Sequence, residues 1–123
     1  MKKLLKIVLV GSITMLFFSC YYDEYPEEIV DDIPDDKVIS FSNDIIPIFE
    51  DYNCVQCHNA SGLSPDLTPG DEFNNLVPAY VTEGDSNGSK LYTQLNGSVI
   101  HLSVDANSLN LIEKWINDGA ENN

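Results

Sequence analysis

Cys54-Val55-Gln56-Cys57-His58 places two thiols three residues apart with an imidazole on the next residue. Two thiols at that spacing can add across the two vinyl groups of one porphyrin, and the adjacent His then lies beneath the iron as an axial ligand. Cys54, Cys57 and His58 are therefore the expected attachment residues of one covalent haem c, with His58 on the iron. Two other chemistries use the same residue types. A redox disulfide between Cys54 and Cys57 belongs between a strand and a helix of an α/β unit, and no such unit is legible here. A zinc site needs four ligands in a tetrahedron; Cys54, Cys57, His58 and His101 make up the number, but adjacent Cys and His fit a closed site badly.

The segments around the motif must position it. Ser42 or Asn43 can cap a helix that leads into it, with Asp44 favoured near the positive helix end and Pro47 tolerable in the first turn. Ile45, Phe49 and Tyr52 fall on one face of that helix, with Ile46 beside them. Residues 59–72 read as a loop broken by Gly62, Pro65, Pro69 and Gly70. Phe73–Val77 reads as a short helical turn, and Ser89–Leu95 as a short helix stopped by Asn96-Gly97. Asp105 or Asn107 can cap a last helix running to about Asp118 and ending at Gly119. Leu109, Ile112, Trp115 and Ile116 give it one apolar face. No strand pattern stands out, so the expected class is all-α: three to four helices with long loops wrapped around one haem. Long irregular loops in so small a domain imply something for them to wrap.

Composition divides the chain before that domain begins. Of 123 residues, 20 are acidic and 6 are Lys, with no Arg, for a net charge of −14. Lys2, Lys3 and Lys6 precede an apolar run from Ile7 to Phe18, and every acid lies after position 20. That run is shorter than the roughly 20 residues of a membrane span and suits a signal peptide. It ends at Ser19-Cys20, which resembles a bacterial lipobox. Residues 1–19 are then a lipoprotein signal peptide, and Cys20 is the lipidated residue that anchors the chain in the cell envelope. Such anchoring is stable because more than one acyl chain is attached. A transmembrane anchor, or a signal peptide with Cys20 incidental, is the alternative. Residues 20–36 follow as an acidic tether: eight acids, no base, and Pro26 and Pro34. Self-repulsion extends it to about 50 Å at full stretch. Residues 37–123 form the domain, with three Lys against twelve acids. The acidity excludes ordinary nucleic-acid binding, which needs clustered cations. It points instead to a redox partner with a basic docking patch.

The domain resembles the class I cytochrome c family, particularly the small domains of envelope lipoproteins. The matching stretches are Phe41–Phe49, Gly84–Tyr92 and Trp115–Ala120, and the resemblance covers residues 40–121. It implies that the first and last helices cross near one haem edge, with Phe49 and Trp115 at the crossing. It also implies a Pro carbonyl just after the motif that accepts a hydrogen bond from the axial His; Ser64-Pro65-Asp66-Leu67 matches that segment, and an ordinary loop Pro is the alternative. Family members usually place a Met before the last helix as the second axial ligand. This chain departs there, because Met1 and Met15 are its only Met and both precede Cys20. His101 stands in that region and is the expected sixth ligand, against an open site or one filled by water or Lys. Loss of Met lowers the expected potential. An electron-transfer carrier or relay rather than an enzyme is the functional expectation, with a haem-based ligand sensor as the alternative. A peroxidase-like enzyme ranks below both, since no Arg is present for a distal catalyst.

Overall fold

Ser40 starts the first helical segment because its hydroxyl accepts the Asn43 amide at 3.2 Å while the Asp44 carboxylate accepts the Ser40 amide at 2.8 Å. This reciprocal closure satisfies two amides that a helix start leaves orphaned. The cap therefore falls at Ser40, ahead of the Ser42 or Asn43 read from the sequence, and the segment opens as a wide π-type turn, Phe41–Ile45. It runs directly into α1, Ile46–Asp51, with Pro47 in the first turn, where its missing amide costs nothing. The structure, a computed structural model, describes residues 32–97 and 104–123.

Three more α-helices follow: α2, Glu72–Leu76; α3, Lys90–Gly97; and α4, Ala106–Asn117. The described residues contain no strand, only an isolated bridge between Thr82 and Asp85. The described part of the protein is all-α. None of its described helices is long and apolar enough to cross a membrane.

α4 is the longest of the described elements and the best specified. The Asp105 side chain caps it by accepting the Ser108 amide at 2.8 Å. At its other end the Gly119 amide donates to Ile116 O and the Ala120 amide to Trp115 O, which closes the last turn. Gly119 makes that closure with φ at +114°, in the region that glycine favours. Ile112, Trp115 and Ile116 are buried on one face, while Leu109 is half-buried.

The core gathers these faces around Trp115. Phe41 lies with its ring centroid 5.2 Å from that of Trp115, and Phe73 meets Phe41 edge-on at 5.2 Å. The first and last helical segments thus meet through Phe41 and Trp115. Phe49, expected at that crossing, is buried too but turns to a cavity described below. Asn123 locks the crossing: its side-chain oxygen accepts the Phe41 amide at 2.8 Å and its backbone carbonyl accepts the Ser42 amide at 3.1 Å. The chain already touches the core at Ile33, and Lys114 Nζ donates to Asp35 O at 3.2 Å. Described residues ahead of Lys37 thus already touch the domain.

Candidate functional site

The end of α1 sets the motif in place. Asn53 takes a left-handed conformation (φ 52°, ψ 38°), which Asn tolerates better than most residues, and so reverses the chain after Tyr52. Cys54–Gln56 then form a single 3₁₀ turn. The Cys54 carbonyl accepts two amides, from Cys57 at 3.1 Å and His58 at 2.9 Å. Asn59 secures the turn by donating its side-chain amide to Val55 O and Gln56 O. All three motif residues are thus wound into one short coil.

The loop behind the motif folds back onto it. The Leu63 amide donates to Cys57 O at 2.8 Å and the Leu67 amide to His58 O at 3.0 Å. Gly62 is required for this return, because a Cβ there would run into the Cys57 carbonyl oxygen. Leu67 is buried in the core and anchors the far side of the loop. Asn75 of α2 adds a side-chain bond to Asp66 O at 2.9 Å. Between these fixed points His58 Nδ1 lies 3.2 Å from the Pro65 carbonyl oxygen. A carbonyl can only accept, so this contact sets the ring proton on Nδ1 and presents Nε2 as the basic nitrogen.

Cys54 and His58 line a cavity of about 280 Å³. Its walls are predominantly apolar: Phe49 from α1, Pro65 and Leu67 from the loop, and Tyr80. The remaining wall is one face of α3, with Leu91 and Leu95 flanked by Lys90 and Gln94. These four positions share a face at helical spacing. α3 buries no residue fully. It is tied to α4 by the Tyr92 hydroxyl, which donates to Glu113 Oε2 at 3.0 Å, and its apolar side looks onto the cavity. An apolar helix face left half-covered beside a lined cavity is the arrangement expected of a ligand site.

The two motif cysteines are free thiols, Cys54 half-buried and Cys57 exposed. Burial pushes the Cys54 thiol above its ordinary value, a shift that its own backbone hydrogen bond opposes and the neighbouring Cys57 reinforces. A redox-active CxxC thiol is shifted the opposite way. Among the described residues no three His, Cys, Asp or Glu side chains gather as a metal-holding group. An iron held inside an organic macrocycle needs only axial ligands from the protein and no such group.

The structure thus brings together Cys54, His58 and Pro65, with Cys57 on the same turn. Cys20 and His101 lie outside the described residues, so neither is located relative to the cavity. Three contributors escaped sequence reasoning: Asn59, Gly62 and the cavity face of α3. Gly62 was visible only as a chain breaker, since its contact with Cys57 O exists only once the loop has returned. Comparison with protein-family models, with curated proteins and with solved structures finds no match to this chain.

Proposed function

We propose that the protein is a lipid-anchored, monohaem c-type cytochrome that carries or relays electrons in the cell envelope. The observation that carries this reading is the placement of Cys54 and His58 on one apolar cavity, with Cys57 in the same turn and the His58 ring fixed against Pro65. That donor set fits a covalent porphyrin. Cys54 and Cys57 would tether it through thioethers. His58 would supply an axial nitrogen, its other ring nitrogen held by Pro65 O so that the basic one is offered to iron. Phe49, Leu67, Leu91 and Leu95 would exclude water from the buried faces. When bound, the haem supplies a one-electron ferric/ferrous couple. In this reading the fold is cytochrome c-like, and the small apolar core is completed by the cofactor.

The rest of the chain serves the same task. Cys20 holds the protein to the membrane, and the acidic tether gives the domain reach. The acidic surface steers a redox partner bearing a basic patch, and favours the oxidised, more positive iron. His101 is proposed as the sixth ligand. A haem-based ligand sensor is the second reading, favoured by the absence of any Met after Met15, which leaves the distal position to a ligand other than Met.

The test is covalent haem itself. Expressed with a haem-attachment system and run on a denaturing gel, the wild-type chain should stain for haem. The Cys54→Ala/Cys57→Ala double variant should not. An unstained wild-type band, or staining that survives loss of both thiols, would overturn the reading.

A further inference from the structure

The cavity is electrically unlike the domain that contains it. From Lys37 onward the chain carries twelve acids and three Lys. None of these acids lines the cavity, and among the described residues Lys90 is its one charged lining residue. The other two Lys are taken: Lys37 Nζ lies 3.4 Å from Asp44 Oδ1, and Lys114 Nζ lies 3.0 Å from Asp118 Oδ2. Among the described residues Lys90 is thus the only lysine without a carboxylate partner. Its ammonium lies instead over the Tyr80 ring, 5.8 Å from the centroid. Tyr80 lines the same cavity, so the cation is held on the cavity's side.

Helix electrostatics do not account for this cation. Lys90 is the first residue of α3, where the helix dipole is already positive and an acid is the favoured choice. A chain rich in acids has placed a lysine there, beside apolar walls, and kept carboxylates away. The group that such a site lacks is an anion on an otherwise apolar ligand.

We infer that Lys90 is the anion-pairing residue of this cavity and binds a carboxylate of the haem at the cavity rim. The inference rests on the haem reading above. A porphyrin of this kind has apolar faces and carboxylate edges, which matches walls of Phe49, Leu91 and Leu95 with one ammonium at the margin. Pairing would neutralise one haem carboxylate. Because reduction adds negative charge to the haem, the ammonium would also favour the ferrous state.

The test uses the haem-loaded chain. Midpoint potentials are read by spectroelectrochemistry between pH 5 and 9 for wild type, Lys90→Gln, Lys90→Arg and Lys37→Gln. Lys37→Gln removes the same charge at a residue that does not line the cavity. Lys90→Gln should shift the ferric/ferrous ratio at fixed potential three- to tenfold toward ferric, roughly 30 to 60 mV downward at 59 mV per tenfold. It should also move the pH-dependent step of the potential to higher pH, since a carboxylate that loses its cation takes up a proton more readily. Lys90→Arg should retain the wild-type potential and step. A Lys90→Gln shift no larger than that of Lys37→Gln, with the step unmoved, would overturn the inference while leaving the haem reading intact. So would a change of spin state in Lys90→Gln, which would make Lys90 an iron ligand. A wild-type chain that carries no haem would overturn both.

Discussion

Tyr52 and Asp105 hold each other across the domain through two hydrogen bonds. The Tyr52 hydroxyl donates to Asp105 Oδ2 at 2.5 Å and accepts the Asp105 amide at 3.0 Å. The same carboxylate caps α4 through the Ser108 amide. The residue that closes α1 just ahead of Cys54 is thereby fixed to the residue that opens α4, so the motif and the longest described helix share one polar fastening. Tyr52→Phe keeps the ring and removes both bonds. A net bond to a charged acceptor is worth about 1.5–3 kcal/mol, and this pair is half-exposed, so the expected loss is about 1–2 kcal/mol. Denaturant unfolding of the two proteins checks it, and an unchanged midpoint would show the pair to be incidental.

The same fastening makes stability depend on acid. The Tyr52 hydroxyl, followed by the Ser108 amide, holds the Asp105 carboxyl below its ordinary value. A carboxyl that is more acidic folded than unfolded contributes stability that is full above its unfolded pKa, about 3.9. That contribution is lost as the pH falls through the lower, folded value. The stability gap between wild type and Tyr52→Phe should therefore be largest near neutrality and narrow below about pH 4. Unfolding curves at pH 7 and pH 3 decide this; a gap that stays constant would mean that the ionised form is not what Tyr52 favours.

Trp115 organises the core. It is 1% exposed, its ring packs on Phe41, and its indole N–H donates to Glu121 O at 3.0 Å. Trp115→Ala should cost about 3–5 kcal/mol, the usual range for truncating a buried aromatic residue. In a domain this small that is most of the available stability. The expected outcome is a chain largely unfolded at 37 °C by circular dichroism. A cooperative wild-type-like melt would place the core elsewhere.

His101 is the proposed sixth ligand. His101→Ala should convert a low-spin ferric spectrum to high-spin and open the reduced protein to carbon monoxide. A low-spin spectrum surviving the change would remove His101 from the iron. Rapid carbon monoxide binding by the unaltered protein would instead favour the sensor reading.

How legible this was in the sequence varies from element to element. α4 could be read almost residue for residue, because Asp105, the spaced apolar residues and Gly119 all act locally. The start of the first helical segment was misread, since Ser40, Ser42 and Asn43 are all competent caps. What separates them is a set of tertiary bonds: Asn123, at the far end of the chain, takes the Phe41 and Ser42 amides. Phe49 was correctly expected to be buried, but its surroundings depend on where the loop at residues 59–67 returns. Within the site, the Cys54-x-x-Cys57-His58 spacing was plain, and the approach of Pro65 O to His58 followed only from a resemblance. Its geometric basis, a loop pinned by Gly62, Leu67 and Asn75, is non-local and so had no sequence signal. The inverted charge of the cavity was equally hidden, because Lys90 is far in sequence from the motif.

The central claim is that Cys54, Cys57 and His58 hold one haem with a nitrogenous sixth ligand. The most direct measurement is the visible spectrum of the purified, haem-matured chain in both oxidation states. The account predicts a low-spin c-type spectrum, with sharp bands on reduction and no Met–iron charge-transfer band near the red end of the ferric spectrum. A featureless spectrum, or a band showing Met ligation, would contradict it.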